Sequence, residues 1–501
     1  MPSVQSVALA GVEGALVTVE ADLAFALPQF SVVGLPDTAV KEAKDRIRAA
    51  FRASHLPFYH GRITVNLAPA DLRKQGPSFD LPIAAALLQT QELVPANAFA
   101  GCLIIGELSL DGAVRPVRGA LAAALLAKKL GLQGIFVPPG NAAEAGAVPD
   151  IAVWPVTSLL DLVAQAKDTA LRCAHRAEHA CPAASRPRVD LADVAGQRHA
   201  KRGVEIAAAG GHNVLFSGPP GSGKTLLARA LPGILPPLST DEAIETTLIA
   251  SAAGLLPEGA GLATTRPFRH PHHSSSPTSL VGGGTQPRPG EASLAHRGVL
   301  FLDELPEFSR TALEQLRQPM EDGEVLVARA AGSVRFPARF SLCAAMNPCP
   351  CGHAGDPRRP CVCAPGKADA YARRISGPLL DRFDLVIRVL NQEAGIVLRR
   401  ADEESSETVR ARVCAARRIQ TERFRGSDTT TNADVSPADL ERWCRLPEPA
   451  VRLLERAAHA HGLSARACAR IRKTARTIAD LSEATDIAET HVAEALQYRL
   501  P

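Results

Sequence analysis

Eight consecutive residues carry the clearest chemistry of the sequence, because their order is that of a loop that cradles phosphate groups. The loop consists of Gly218, Pro219, Pro220, Gly221, Ser222, Gly223, Lys224 and Thr225. Glycines let backbone N–H groups turn towards phosphate oxygens, and a helix that starts after the loop adds positive potential. Lys224 is expected to contact the β- and γ-phosphates of ATP, and Thr225 to bind Mg²⁺. The apolar run 213–217 before the loop and the helix formers 226–231 after it argue against an ordinary glycine-rich turn.

Three further polar residues follow apolar runs, as residues do at the ends of buried parallel strands. Asp303 and Glu304 come after four apolar residues, and Asn347 comes after the run 340–346. Asp303 is expected to hold Mg²⁺ through water, and Glu304 to orient and polarise the water that attacks ATP. Asn347 is expected to contact the γ-phosphate or that water; the alternative is an Asn that opens a turn. An acid pair after a strand is common by chance, so it gains weight from the phosphate-binding loop upstream.

A cluster of cysteines follows Asn347 directly. Two C-x-C pairs are separated by nine residues, and four thiolates can close a tetrahedral structural Zn²⁺ site. The four candidate ligands are Cys349, Cys351, Cys361 and Cys363. His353 is an alternative ligand, and reduced thiols on a loop are the alternative to a metal site. The total of 11 cysteines is odd, which favours thiols over a disulfide framework and is typical of a cytoplasmic protein.

Local patterns divide the 501 residues into three regions and a linker. Strands mixed with helices predict an α+β region over 1–165, and a polar, Pro-containing stretch predicts a linker over 166–190. Alternating strands and helices over 191–390 predict a parallel sheet, whereas 391–501 is mostly helical. The predicted fold class is therefore α/β. Helices are predicted at 37–53, 80–90, 119–130 and 465–481, and early strands at 15–20 and 62–67.

Bulk composition sets few limits on function. The net charge of +4 is mildly basic and does not by itself indicate a nucleic-acid partner. No stretch approaches the roughly 20 apolar residues that a membrane span requires, and the first residues lack the pattern of a signal peptide. We therefore expect a cytoplasmic protein without a membrane partner.

The order of phosphate-binding loop, acid pair and polar sensor resembles that of AAA+ ATPases. Longer motifs narrow the resemblance to the Mg-chelatase-like AAA+ family and its YifB/ComM branch. These motifs span 266–274 (RPFRHPHHS), 296–308 (HRGVLFLDELPEF), 345–352 (AMNPCPCG) and 376–384 (SGPLLDRFD). The resemblance covers essentially the whole chain. It implies an AAA+ core with a parallel sheet over 191–390 and a helical lid of the Mg-chelatase C-terminal type over 391–501.

The family resemblance also implies an assembly. AAA+ proteins of this kind form rings, here expected to be a hexamer of identical chains with ATP at the subunit interfaces. Arg382 matches the arginine finger, which stabilises charge on a neighbour's γ-phosphate, with Arg373 and Arg374 as rivals. Arg466 matches the second sensor, which reaches ATP from the lid, and Arg470 is its alternative.

The stretch between the phosphate-binding helix and Asp303 is rich in Gly, Pro and His. Related ring ATPases line their central pore with such segments. The candidates for contact with a nucleic-acid backbone are Arg266, Arg269, His270, His272 and His273. The alternative is a loop that packs against the neighbouring subunit, and the sequence does not separate the two.

The first region resembles the proteolytic-type domain of Lon proteases. Ser78 falls where Lon carries its nucleophile, but Ala120–Ala124 occupies the stretch where Lon carries its basic lysine. A serine without a base is a weak nucleophile, and Lys128 and Lys129 lie too far along the helix. An inactive, Lon-protease-like domain with a scaffold or DNA-contacting role is therefore expected. The basic residues of the helix at 37–53 are expected to form a solvated face more often than a DNA contact.

The YifB/ComM resemblance implies an ATP-driven motor on single-stranded or branched DNA, which promotes branch migration in homologous recombination during natural transformation. A second hypothesis is the ATPase subunit of a complex that inserts Mg²⁺ into a porphyrin, against which the Lon-like region argues. A Lon-like ATP-dependent peptidase is disfavoured by the missing lysine. A nucleotide-switched scaffold is disfavoured by the presence of Glu304 and Arg382. The expected cofactors are ATP, Mg²⁺ and, from the cysteines, Zn²⁺.

Overall fold

The computed structural model describes residues 2–175, 189–284, 287–329, 332–356, 359–392 and 403–499. The first region contains nine strands: β1 Ser3–Ala10, β2 Glu13–Ala24, β3 Gln29–Val33, β4 Arg62–Ala68, β5 Cys102–Ile104, β6 Glu107–Leu108, β7 Val114–Arg115, β8 Gly134–Val137 and β9 Ala152–Pro155. Seven of them form one mixed sheet in the order β3-β4-β2-β1-β5-β8-β9, while β6 and β7 form a small hairpin.

Helices cover both faces of this sheet. They are α1 Thr38–Ala53, α2 Asp80–Thr90, α3 Ala120–Lys129, α4 Ala142–Gly146 and α5 Leu159–Lys167. Alternate residues of β1 enter different cores: Val4 packs with α1, α2 and α5, whereas Val7 packs with α3 and α4. Because successive side chains of a strand point to opposite faces, the two helix groups sandwich the sheet.

The second sheet contains five strands in the order β11-β14-β17-β10-β18, all parallel. They are β10 Val214–Ser217, β11 Phe268–Arg269, β14 Val299–Leu302, β17 Ser341–Met346 and β18 Leu385–Arg388. Two small hairpins accompany the sheet: β12 Gly282–Gly283 with β13 Arg288–Pro289, and β15 Glu324–Arg329 with β16 Gly332–Pro337. In a parallel sheet all strands end at one edge, called here the carboxyl edge, and begin at the other, the amino edge.

The helices around this sheet are α6 Arg198–Gly210, α7 Lys224–Ile234, α8 Thr240–Ala253, α9 Pro277–Val281, α10 Glu291–Leu294, α11 Arg310–Gln315, α12 Arg317–Asp322, α13 Lys367–Ala372 and α14 Gly377–Leu380. The last described residues add α15 Ser406–Arg423, α16 Leu440–Trp443, α17 Glu448–His461, α18 Ala465–Leu481 and α19 Glu489–Gln497. Short 3₁₀ helices lie at Pro77–Phe79, Pro139–Asn141, Thr169–Leu171, Leu191–Asp193, Leu305–Glu307, Asn432–Asp434 and Pro437–Asp439.

The helices of 403–499 pack directly on the parallel sheet. In α18, the Ser464 side chain caps the N-terminus by accepting a hydrogen bond from the Ala467 N–H. Ile471, Ala475 and Ile478 then recur at helical spacing and enter the core that also contains strand residues of β10 and β18. This shared core fixes α18 against the amino edge, where the His212 ring lies 2.8 Å from the Thr477 hydroxyl.

The observed elements agree with the α/β fold class and with the main predicted elements. The helices predicted at 37–53, 80–90, 119–130 and 465–481 correspond to α1, α2, α3 and α18, each within one residue at either end. The predicted linker over 166–190 overlaps the end of α5 and a 3₁₀ turn, and its residues 176–188 lie outside the described ranges. Among the described residues, no helix has both the length and the apolar character of a membrane span.

Candidate nucleotide-binding site

The phosphate-binding loop connects the carboxyl end of β10 to the first residue of α7, Lys224. Gly221 and Gly223 adopt φ angles of +77° and +95°, which only glycine accepts without strain. A Cβ atom at either glycine would meet no atom within 4 Å, so the space over the loop is open. The buried hydroxyl of Ser222 has no hydrogen-bond partner among the described residues. An open cradle with an unused polar group fits a phosphate chain.

The Lys224 ammonium is held within this loop. Its Nζ atom donates hydrogen bonds to the carbonyls of Gly218 (2.7 Å) and Pro219 (2.8 Å) and to Asn347 Oδ1 (3.2 Å). Burial lowers the pKa of Lys224, although the negative charge of Asp303 opposes that shift. Asn347, which follows β17 directly, is therefore in contact with Lys224.

Thr225 and Asp303 are also in contact, because β14 and β10 both end at the carboxyl edge. The Thr225 hydroxyl donates to Asp303 Oδ2 at 2.9 Å, and the Glu304 N–H donates to Asp303 Oδ1 at 2.9 Å. Glu304 adopts a left-handed conformation with φ +52°, which is uncommon for a residue with a side chain. Its half-exposed carboxylate lies 3.3 Å from His273 Nδ1.

The histidines at 270–273 follow β11 and belong to the same edge. Since β11 pairs with β14 in parallel, residues after β11 must lie beside Asp303. The His270 ring packs on Phe301 with centroids 4.9 Å apart, and burial lowers its pKa while the Asp303 charge opposes the shift. The rings of His272 and His273 are in contact, with centroids 4.1 Å apart and planes tilted by 34°. In this chain these three histidines line the nucleotide site, an arrangement that the sequence did not predict.

Arg266 and Arg269 both form ion pairs within the chain. Arg266 donates to Glu242 Oε2 at 2.7 Å and to two carbonyl oxygens at 2.6 Å. Arg269 forms a two-bond ion pair with Glu291 at 2.6 and 2.8 Å. Two parallel bonds to a carboxylate are among the stronger ionic contacts in proteins, so both arginines brace the fold.

Arg382 lies at the amino edge, opposite the phosphate-binding loop. Its carbonyl accepts from Asn213 Nδ2 at 3.1 Å, and Asn213 precedes β10, whereas Gly218 follows it. The intervening strand separates the two edges by about 13 Å. The Arg382 guanidinium pairs with Glu321 and donates to the Pro378 carbonyl at 2.7 Å.

The two alternative candidates for the arginine finger, Arg373 and Arg374, lie elsewhere. Arg374 pairs with Glu307 at 2.9 Å, in the turn that follows Glu304, and Arg373 is exposed.

Arg466 and Arg470 lie on the side of Arg382. Burial lowers the pKa of Arg382, and the positive charges of Arg317, Arg470 and Arg466 lower it further. Arg470 Nε lies 3.3 Å from Asp384 Oδ1. The other carboxylate oxygen of Asp384, Oδ2, accepts a hydrogen bond from the Asn213 N–H. One positively charged patch, called here the amino-edge patch, is formed by Arg317, Arg382, Arg466 and Arg470. It lies away from the chain's own Lys224.

The four predicted zinc ligands are brought together. All four sulfur atoms lie within 4.8 Å of one another. The Cys349 sulfur is 3.3 Å from that of Cys351 and 3.7 Å from that of Cys361, and the latter two are 3.5 Å apart. Zn–S bonds of about 2.3 Å put the sulfurs of a tetrahedral site about 3.8 Å apart, so the cluster fits Zn²⁺. His353 instead has its Nδ1 atom 3.6 Å from Asp356 Oδ2.

The stretch that would carry Lon's lysine is filled with core residues. Ala120–Ala124 is buried at the start of α3, between the sheet and α4. Lys128 reaches the exposed Asp150 at 3.3 Å, and Lys74, which is buried, donates to the Pro69 carbonyl. Burial lowers the pKa of Lys74. The lack of peptidase activity stays a prediction.

The five-stranded parallel sheet, with its phosphate-binding loop after β10 and acid pair after β14, defines a P-loop protein of the AAA+ class. Three family models match the chain: "Magnesium chelatase, subunit ChlI" over 190–396, "Subunit ChlI of Mg-chelatase" over 19–141, and "Magnesium chelatase, subunit ChlI C-terminal" over 403–499. Full-length relatives narrow this class to one branch.

Competence protein ComM of Haemophilus influenzae is 45% identical over 504 residues, which cover 99% of this chain and 97% of that protein. The protein YifB of Salmonella typhimurium is 44% identical over 499 residues, covering 98% and 95%. The magnesium-chelatase 38 kDa subunit of Rhodobacter capsulatus is 28% identical over 228 residues, covering 42% of this chain and 58% of that protein. The chain therefore belongs to the YifB/ComM family of Mg-chelatase-like AAA+ proteins, whose cofactors are ATP and Mg²⁺.

Proposed function

We propose that this chain is the subunit of a hexameric, ATP-hydrolysing motor that remodels single-stranded or branched DNA. The observation that carries the ATPase part is the convergence of Lys224, Thr225, Asp303, Glu304 and Asn347 at one edge of the parallel sheet. The DNA part rests on similarity to a relative whose name is competence protein. From it we infer branch migration during natural transformation, which would take place in the cytoplasm.

Each residue of the site has a proposed task. Lys224 and the loop N–H groups hold the phosphates of ATP, and Thr225 and Asp303 hold Mg²⁺, which neutralises charge on the phosphate oxygens. The half-exposed Glu304 carboxylate accepts a proton from the attacking water. Asn347 keeps Lys224 oriented and reaches the same water or phosphate.

The positions of Arg382 and Lys224 support an oligomer. Arg382 lies at the opposite edge of the sheet from its own phosphate-binding loop, one strand length of about 13 Å away, and that position suits action on the nucleotide of another chain, as by an arginine finger. We therefore propose Arg382 as the finger. We propose Arg466 as the second sensor, with Arg470 as its alternative; because both lie on the side of Arg382, the ATP that they reach would be a neighbour's. We further propose that 1–165, 191–390 and 391–501 act as an inactive Lon-like domain, the AAA+ core and the lid.

The first experiment is ATP hydrolysis by the purified chain with and without single-stranded and forked DNA. Lys224→Ala removes the phosphate contact, and Glu304→Gln removes the base while keeping the size of the side chain. DNA-stimulated turnover that both variants lose is the expected result. Turnover that is indifferent to each DNA tested would overturn the DNA assignment and leave the ATPase.

A second candidate function is that of an ATPase subunit in a metal-chelatase complex. It is favoured by the match of the family models to magnesium-chelatase subunits. The full-length similarity to ComM and YifB favours the DNA motor instead, since the chelatase subunit covers only 42% of this chain. Stimulation of ATP hydrolysis by a chelatase partner subunit, and not by DNA, would reverse that preference.

Besides ATP and Mg²⁺, we propose Zn²⁺ as a third cofactor, bound at the four cysteines.

A further inference from the structure

The segment 346–352 runs along the phosphate-binding loop and touches it three times. The Met346 carbonyl accepts from the Gly218 N–H at 3.3 Å, and Asn347 Oδ1 accepts from Lys224 at 3.2 Å. Gly352 then packs against Pro220 so closely that a Cβ atom on Gly352 would lie 2.4 Å from Pro220 Cδ. The position of this segment therefore affects both the loop and its lysine.

Two of the four clustered thiols belong to this same segment. Cys349 and Cys351 lie between Asn347 and Gly352, and Cys361 and Cys363 approach them from the returning chain. The Ala354 N–H donates to the Cys349 sulfur at 3.2 Å. Such N–H donors stabilise a sulfur that carries negative charge, as a metal-bound thiolate does.

The described part of this loop has little apolar packing. Within the described part of 350–366, Gly352 is the only buried residue, and Val362 is 80% exposed. A loop without an apolar core needs another source of order, and metal binding is one that supplies folding free energy directly.

We propose that Zn²⁺ bound by the four cysteines fixes the segment 346–352 against the phosphate-binding loop, so that ATP affinity depends on the metal. The inference rests on the proposed ATP site and adds a second, metal-dependent control of that site. The contact between Gly352 and Pro220 transmits the effect to the loop, and Asn347 transmits it to Lys224.

A matched pair of glycine variants tests the contact without removing the metal. Gly352 and Gly355 both have positive φ angles, +83° and +73°, so alanine is strained to a similar extent at each. A Cβ at Gly355 meets no atom within 4 Å, whereas one at Gly352 collides with Pro220. We expect Gly352→Ala to weaken binding of mant-ATP by about tenfold, and Gly355→Ala to leave it within about twofold. Both variants should retain zinc; equal affinities in the pair would overturn the proposed contact.

The metal itself is tested in the full-length chain by elemental analysis together with mant-ATP titration. We expect about one zinc per wild-type chain, because four thiolates complete one tetrahedral site. Cys361→Ser combined with Cys363→Ser should lose the zinc and bind mant-ATP about tenfold more weakly. Cys173→Ser, at an exposed thiol outside the cluster, should do neither.

Zinc content and mant-ATP binding together separate three claims: the metal site, the dependence of ATP affinity on zinc, and the ATP site itself. A wild-type chain that purifies without zinc and takes up none overturns the metal site. A zinc-free variant that binds mant-ATP as tightly as the wild type overturns the control of ATP affinity. A zinc-loaded wild type that binds no mant-ATP overturns the proposed ATP site instead.

Discussion

Glu304 lies two residues after the end of β14, and its half-exposed carboxylate is 3.3 Å from His273 Nδ1. A base that activates water must point in one direction at the moment of reaction, and a half-exposed carboxylate needs a partner to hold that direction. The His273 ring supplies such a constraint. It is therefore expected to be a positioning residue, which acts on hydrolysis through Glu304.

We predict that His273→Ala lowers kcat for ATP by about tenfold, the smaller end of what a misplaced reacting group costs. The dissociation constant of ATP should stay unchanged, because His273 contacts the base and not the phosphate-binding loop. His272→Ala is the comparison variant and should lower kcat less, since His272 contacts the His273 ring and Ser274 but not Glu304. Steady-state hydrolysis and equilibrium binding measure the two quantities. Equal losses in both histidine variants, or weaker binding in His273→Ala, would contradict the prediction.

The sequence points to Lys224 through the eight-residue motif around it, and to Asp303 and Asn347 through the apolar runs that precede them. It could not assign His273, which requires knowing that the two-residue strand β11 lies beside β14. Two residues are too few for a hydrophobic period to identify a strand. Strand order, and hence the neighbours of Glu304, is a property of the packed sheet and not of any local pattern.

At the scale of elements, α3 shows how the first region is joined to the parallel sheet. The buried Glu144 carboxylate accepts from the Leu121 N–H at 3.0 Å, at the helix N-terminus, where backbone donors lack partners. The Ser251 hydroxyl, at the end of α8, donates to the same carboxylate at 2.5 Å and accepts from the Gly119 N–H at 2.9 Å. The sequence predicted this helix to within one residue. It did not predict the cap, because Glu144 lies 23 positions from Leu121 in the chain and Ser251 lies more than 100 positions from Gly119.

We predict that Glu144→Ala makes the first turn of α3 open more often. Leaving buried donors unpaired costs about 1–3 kcal/mol, so amide hydrogen exchange at Leu121 should be about 5- to 150-fold faster. Ser251→Ala should give a smaller increase, because Glu144 still accepts the Leu121 bond. Lys128→Ala removes only an exposed ion pair of the same helix and serves as the control. Unchanged exchange in Glu144→Ala would show that the carboxylate does not stabilise the helix end.

At the scale of the whole molecule, the proposed function divides one catalytic site between the two edges of the parallel sheet. In that proposal the carboxyl edge holds the phosphates through Lys224, and the amino-edge patch presents Arg382 to another chain. In a closed ring of identical subunits every interface then joins one carboxyl edge to one amino edge. A single chain would hold ATP but lack the charge that a finger adds in the transition state.

We predict that two inactive variants restore each other when they assemble into mixed rings. Lys224→Ala destroys a subunit's own site but keeps its Arg382, whereas Arg382→Ala keeps the site and lacks the finger. With equal amounts and random assembly, about a quarter of the interfaces pair an intact site with an intact finger. The ATPase rate of coexpressed, doubly tagged rings should therefore recover to about a quarter of the wild-type rate, against a baseline lower by about a thousandfold or more for either variant alone.

The control is a ring that combines Lys224→Ala subunits with subunits carrying both substitutions, in which no interface has an intact site. It should show no recovery, which separates true complementation from contaminating wild-type activity. Recovery requires that Arg382 act on a neighbour's ATP, because neither chain can repair itself. Mixed rings that stay at the baseline, with assembly verified by both tags, would mean that Arg382 does not complete a neighbour's site. Arg466 would then be the next arginine of the amino-edge patch to test in the same design.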